Sequence, residues 1–277
     1  MSLKAHALVL DLSSAVGGRP IPVRALVRAA EVLGIEGNAV RVAVARLVAA
    51  RKLEQTERGY YGLAAGSRAI QSHVTAWSRL DERMQPWRGG WVLVHEGALA
   101  RSQRSAVRRA RRALGFLGFA ELEPGLQIRP DNLVGGVAGV RRALSDLGLG
   151  PEVLVAGLDA LDEARERHAR SLWDARALER GYRETRRELR ASGERLDALP
   201  LPRALAECFT LGGRAIRQLA FDPLLPEPIV SNELRRELVA EMKSYDRAGR
   251  RVWRRFMHSA GAPALESLLD FRSVEAA

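Results

Sequence analysis

The chain has 277 residues, 47% apolar and 5% aromatic, with 44 Lys and Arg against 33 Asp and Glu for a formal net charge of +11. That length accommodates two or three domains with a sizeable core, and a charge excess carried almost wholly by arginine favours polyanionic partners such as nucleic acid. The single cysteine, Cys208, excludes an internal disulfide framework and a Cys-rich metal site. No run approaches the roughly 18 apolar residues of a membrane span, and the N-terminus has no signal-peptide core, so a cytoplasmic chain without membrane contact is expected.

Lys4 to Val16 carries Leu8, Leu12 and Val16 at helical spacing and ends at Gly17-Gly18. Pro20 to Pro22 reads as a stiff connector, and Val23 to Leu33 as a second helix with Leu26, Val27, Ala30 and Leu33 inward, ended by Gly34. In the third helix Val40, Val44, Leu47 and Val48 share one side and are expected to be buried together, leaving Asn38, Arg41, Val42 and Ala45 opposite. That opposite side offers an amide, a guanidinium and small side chains, the types that reach base edges in a major groove. Lys52 to Thr56 and Tyr60 to Leu63 read as two strands around Glu57-Arg58-Gly59, with Gly59 supplying the positive φ of a tight hairpin.

Helix plus basic-tipped hairpin is the second half of a winged helix-turn-helix, placed at residues 1 to 66. Arg46, Arg51 and Lys52 suit phosphate contacts, which position a reader without reading sequence, and Arg58 at the tip suits a minor groove. Residues 1 to 70 hold ten basic and five acidic side chains, several of the basic ones on or just after this helix. Residues 66 to 86 are expected to continue as a linker helix through Ile70, Val74, Trp77 and Leu80, within a linker spanning 67 to 87.

From Trp87 the pattern changes. Trp91 to His95 is a strand, Leu99 to Leu114 a helix, Leu117 to Glu123 and Leu126 to Arg129 a strand pair turning at Pro124-Gly125, Val137 to Leu147 a helix, and Glu152 to Gly157 a strand. This order is the split βαβ or ferredoxin-like arrangement, placed at residues 88 to 160. Arg101, Arg104, Arg108, Arg111 and Arg112 recur at three and four, with no acid between 101 and 112. A solvated face, a site for the phosphates of a ligand and a supplementary DNA contact all fit that stripe, since arginine donates two parallel hydrogen bonds to phosphate.

Residues 161 to 277 read as a helical C-terminal domain: Asp162 to Trp173, Leu178 to Leu199 and Arg203 to Leu219, then the rigid turn FDPLLPEPIV with three of the twelve prolines, then a helix to about His258 capped by Asn232. Tyr245, Trp253 and Phe256 fit core or dimer packing. Trp91, Trp173, Tyr182 and Phe209 are candidates for an apolar ligand pocket, though nothing in the linear order brings them together.

The five histidines show no metal-ligand spacing, and there is neither GxSxG nor a phosphate-binding GxxxxGK[ST] motif. Gly135-Gly136 with Gly139 fails the dinucleotide fingerprint. No catalytic residue, metal or cofactor is assigned on these grounds, and the chain is expected not to be an enzyme. A competing reading is a metal-dependent nuclease on the ferredoxin-like domain, with Glu96 after its first strand and the winged helix as targeting module. A constitutive architectural DNA binder is a third.

Three stretches in order, VRVAVARLVAARKLEQTERGYYGL, then WRGGWVLV with the Arg-rich helix and GFLGFAELEPGLQIRP, then FDPLLPEPIV, resemble the PaaX family of bacterial transcriptional repressors, over about residues 5 to 258. The resemblance implies an α+β, mostly helical chain with a winged-helix, a ferredoxin-like and a helical C-terminal domain, assembled as a homodimer on double-stranded operator DNA. It implies release by an acyl-CoA thioester, phenylacetyl-CoA in the members that gave the family its name. The reading helix then maps onto Asn38 to Arg51 and the wing onto Leu53 to Leu63. The first helix departs from the family, HALVLDLSSAVGG standing where members often have a more aromatic segment.

Overall fold

A computed structural model describes residues 4–15, 19–67, 74–95, 104–150 and 153–259. The chain is a mostly helical α+β protein with two small antiparallel sheets. It divides into two compact units, one of Met1–Thr75, Arg187–Ile216 and Glu241–Ala277, the other of Ala76–Arg186 and Arg217–Ala240. The segment 161–277, expected as one helical domain, is therefore shared between them.

In the first unit, helices α1 (Ala5–Ala15), α2 (Val23–Val32) and α3 (Gly37–Ala49) precede the hairpin of β2 (Leu53–Glu57) and β3 (Tyr60–Leu63). The residues read as a connector contribute a short strand, β1 (Ile21–Pro22), pairing Ile21 with Tyr61 and Pro22 with Tyr60, so the sheet runs β1-β3-β2. Two residues are too few for periodicity to show. Leu8, Val9, Leu26 and Ala30 meet Val40, Val44, Leu47, Leu53 and Leu63 in one core.

The helical part of this unit includes α8 (Leu201–Glu207), continued by a wide π turn at Cys208–Gly212 where the sequence suggests unbroken α-helix. Packed in the same unit are the end of α7 (Ala175–Gly193), the start of α9 (Gly213–Ala220) and most of α10 (Asn232–Ser259). Ser192 is fully buried, donates to Glu207 and lies 2.8 Å from the Tyr245 hydroxyl, and Arg195 holds the same carboxylate at 2.6 Å. Burial pushes the Cys208 thiol up to about 12. Tyr245 and Phe256 are buried, and Trp253 meets Phe256 edge-to-face, as packing residues do.

In the second unit, β4 (Trp91–His95), α4 (Arg104–Phe116), β5 (Ala120–Glu123), β6 (Leu126–Pro130), α5 (Gly136–Asp146) and β7 (Leu154–Leu158) follow in the expected order, and the antiparallel sheet runs β5-β6-β4-β7. One sheet face supplies Val92, Val94 and Val155 to a core closed by Ala110, Ala113 and Leu114 of α4 with Val140 and Leu144 of α5. Ahead of β4 the expected linker helix is met in part: residues 65–67 and 74–75 are helical, but beyond Thr75 the chain departs from it. Described residues 76 to 83 are two 3₁₀ turns, Ala76–Arg79 and Asp81–Arg83, after which Met84 bridges to Leu133, although Trp77 and Leu80 are buried as anticipated. α6 (Glu163–Arg170) is capped by Asp162, whose carboxylate accepts the Arg165 amide at 2.9 Å. For α10 the cap is Ser231, which accepts the Leu234 amide, and not Asn232; the Asn232 amide oxygen instead takes a hydrogen bond from Arg235.

The proline-rich turn Phe221 to Val230 is held by buried charge. Arg235 and Asp222 pair at 3.0 Å with side chains 1% exposed, the Tyr182 hydroxyl donates to the second Asp222 oxygen, and the Leu224 amide donates to the first at 2.8 Å. Arg235 also donates to the Leu225 carbonyl, and Asn132 donates to that of Leu224. Burial together with the Asp222 charge raises the Tyr182 pKa. Arg129 donates only to neutral oxygens, of Pro130, Leu117 and Asn132, and burial pulls its pKa down to about 9.

Asp222→Ala would leave Arg235 buried without its carboxylate, and should cost about 3–5 kcal/mol in urea unfolding. Tyr182→Phe, which removes one hydrogen bond, should cost about 1 kcal/mol. Because Cys208 becomes thiolate only as pH nears the raised value, its alkylation by iodoacetamide at pH 8 should be at least ~100-fold slower in the folded chain than in urea.

Candidate functional site

The surface of α3 and its hairpin is the candidate, and α3 is placed by packing on both α1 and α2. Val40, Ala43, Val44 and Leu47 are its buried residues. Val48, expected among them, is only half-buried, because Ala43 completes the i, i+3, i+4, i+7 stripe in its place. The approach of α2 is close: a Cβ at Gly37 would lie 2.8 Å from Val27 Cγ1, so any side chain at the first residue of α3 would have to displace Val27.

With that side fixed, Asn38, Arg41, Val42, Ala45 and Arg46 are all exposed, and Val42 keeps 42% of its surface. Arg51, Lys52 and the hairpin-tip Arg58 are exposed as well. None of the cations Arg41, Arg46, Arg51, Lys52 and Arg58 joins an ion pair or a side-chain hydrogen bond among the described residues. No acidic residue occurs between Glu36 and Glu54. The eight residues expected to form one surface therefore all reach solvent from one helix and the hairpin that follows it. An amide, several guanidiniums and an apolar side chain, all exposed, can meet an anionic partner along its length.

The hairpin is pinned at both ends. The Val23 amide donates to the Gly59 carbonyl at 2.8 Å, and the Ala64 amide to the Lys52 carbonyl at 3.1 Å. Gly59 has φ +82, as the tight turn requires, and a bulge between Gln55 and Glu57 bends the exposed strand.

One feature of this surface has no sequence signal. Both α2 and α3 end in the same double hydrogen-bond motif: Ile35 and Gly34 amides reach back to the Ala30 and Glu31 carbonyls, and Lys52 and Arg51 amides to those of Leu47 and Val48. The left-handed residue is Gly34 in the first case, φ +73, but Arg51 in the second, φ +54. An arginine in that conformation costs about 1 kcal/mol relative to glycine, so a cation stands where the backbone favours glycine. Such local cost is concentrated at functional positions.

The other expected sites fall partly outside the described residues. In the arginine stripe, Arg101 and Glu96 lie outside them, as does the side chain of Arg104, while Arg108, Arg111 and Arg112 are exposed on α4. Of the aromatic candidates, Trp91 and Trp173 lie nearly parallel at 6.4 Å, but Trp91 is 1% exposed and its indole donates to Glu166. Tyr182 is buried in the Asp222 network, so Trp91 and Tyr182 pack the interior, while Trp173 and Phe209 are half-buried. Among the described residues, no group of three His, Cys, Asp or Glu is arranged to hold a metal ion.

No protein-family model matches the chain, and no curated protein does. Among solved structures it is similar to the uncharacterized protein Rv0674 from Mycobacterium tuberculosis, at 23% identity and a TM-score of 0.55, over 89% of this chain and 98% of that one. The likeness establishes a shared fold.

Arg51→Gly should stabilise the chain by about 1 kcal/mol in chemical denaturation, while Arg51→Ala should leave stability within about 0.5 kcal/mol, because alanine pays the same backbone cost. Equal stabilities for the two variants would remove the backbone argument.

Proposed function

We propose that the protein is a ligand-responsive transcriptional repressor, which binds palindromic operator DNA as a homodimer and is released by an aryl- or acyl-CoA thioester. The observation that carries the DNA half of this reading is the solvent face of α3, with Asn38, Arg41, Val42 and Ala45 exposed and its cations without ion-pair partners among the described residues. Three helices followed by a hairpin, with β1 completing a β1-β3-β2 sheet, support reading the N-terminal segment as a winged helix-turn-helix. The βαββαβ order and the β5-β6-β4-β7 sheet support a ferredoxin-like second domain. The resemblance of three stretches to PaaX repressors supports the effector class and the dimer.

In this reading Asn38, Arg41, Val42 and Ala45 face base edges, while Arg46, Arg51 and Lys52 hold phosphates on either side. A guanidinium forks onto guanine, an amide onto adenine, and an apolar side chain such as Val42 covers a thymine methyl. Arg58 enters the adjoining minor groove. A two-fold dimer sets two such helices about 34 Å apart or a multiple of it, so the operator is an imperfect palindrome. The effector acts by changing the spacing or tilt of the two heads, which register with the half-sites discriminates strongly.

Selection from a random duplex library should return half-sites whose centres are one or more helical turns apart. Arg41→Ala should lower affinity for the selected duplex by about 1–3 kcal/mol and flatten preference at one base position, whereas Arg58→Ala should weaken all duplexes alike. Affinity and preference unchanged by Arg41→Ala would remove the reading face. Addition of phenylacetyl-CoA or another acyl-CoA should release the DNA in a gel shift; retention across a panel of such thioesters would remove the effector assignment.

A further inference from the structure

The helix layer of the second unit has an outer surface that the DNA-reading face does not account for. Ala110, Ala113 and Leu114 turn α4 toward the sheet, which leaves Arg108, Arg111 and Arg112 on its solvent side. At spacings of three and four these lie within one turn of each other, where like charges repel. The neighbouring helix of the same layer, α5, adds the exposed Arg141 and Arg142, and the exposed acid on the two helices is Asp146 alone among the described residues.

Several other arginines of this unit are matched with acid, while the exposed Arg79, Arg88, Arg176, Arg180 and Arg236 stand singly or in pairs and join no ion pair among the described residues. Arg165 pairs with Asp162 and Glu123, Arg170 with Glu166, Arg183 with Glu179, and Arg186 with Glu237. Arg108, Arg111 and Arg112 take part in no ion pair or side-chain hydrogen bond among the described residues. No acid occurs in the sequence from Gly97 to Ala120, so none on the same segment neutralises them.

We propose that the outer surface of the α4–α5 layer is a second DNA-binding surface, one that holds the phosphate backbone of duplex DNA without reading its sequence. Charge complementarity identifies the partner: a row of guanidiniums each able to fork onto a phosphate matches a polymer of regularly spaced phosphates. The shape agrees, since small ligands bind in concave sites that enclose most of their surface, and the exposed side of a helix layer does not enclose. The proposal rests on the operator-binding reading and assigns this surface to affinity, while sequence preference stays with α3.

The test uses the full chain and two probes, a 40-base-pair duplex of mixed sequence and a duplex selected by the wild type, with anisotropy titrations between 50 and 200 mM KCl. The triple variant Arg108→Gln, Arg111→Gln, Arg112→Gln keeps helix propensity, and circular dichroism melting checks its fold. The slope of log Kd against log salt should become shallower by about 2 to 3 on both probes, at about 0.9 for each phosphate no longer neutralised, with preference for the selected duplex unchanged. Arg41→Ala should do the reverse, lowering preference while changing the slope by at most about 1. Wild-type and triple-variant slopes that coincide overturn the proposal and leave the repressor reading intact. A shallower slope in a protein that shows no sequence preference upholds the proposal and overturns the repressor reading. Loss of an acyl-CoA thermal shift in the triple variant, with the DNA slope unaltered, reassigns the arginines to a small-molecule phosphate site and overturns the proposal.

Discussion

Helix α3 has one apolar side, and the fold gives that side one place to go. Val40, Val44 and Leu47 are 3% exposed or less, and turning them outward would forfeit about 1.5–3 kcal/mol for each side chain. Orientation of the opposite side follows from this burial and from nothing else. The helix carries its exposed guanidiniums at fixed angles because three aliphatic residues, far from any partner, have settled the rotation. The hairpin is tied to the same frame by main-chain bonds at Gly59 and Lys52, so tip and helix are presented together.

The second unit relies on a different device. An ion pair removed from water is weak evidence of stability, because desolvation offsets much of the attraction, yet around Asp222 every oxygen has a donor and each bond ends on the same turn. The result is one conformation for Phe221 to Val230, specified by polar geometry where prolines supply few amide donors. Asn132 and Arg129 extend that geometry to the end of β6. Buried polar groups here define shape, while the valines and leucines of the sheet supply most of the burial.

Much of this architecture is readable from spacing alone. β4 begins and ends at Trp91 and His95 as the apolar run indicates, and the strand and helix order of the second unit follows directly from alternating periods. The exposed set on α3 is legible for the same reason, since a helix that buries every third and fourth residue must expose the others. The illegible parts are fixed by contacts remote in sequence. β1 is recruited by Tyr60 and Tyr61, well downstream of it. The helical cap at Ser231, the 3₁₀ turns after Thr75 and the pairing of Asp222 with Arg235 depend on neighbours that no local pattern names. The left-handed Arg51 is hidden for a further reason: propensity favours glycine there, and a residue that defies its propensity cannot be found by it.

The wide turn at Cys208–Gly212 constrains the gene more than the chemistry of its side chains does. Such a turn is an α-helix that has accommodated one surplus residue, and everything beyond it is phased by that surplus. Winding the same residues as ordinary helix would push the surplus onward and swing the succeeding turns by about 100°. Ala215, now wholly enclosed, would rotate toward solvent and a bulkier neighbour would rotate in. Loss of one codon within the wide turn can therefore be absorbed, while the same loss from the regular helix beyond it cannot.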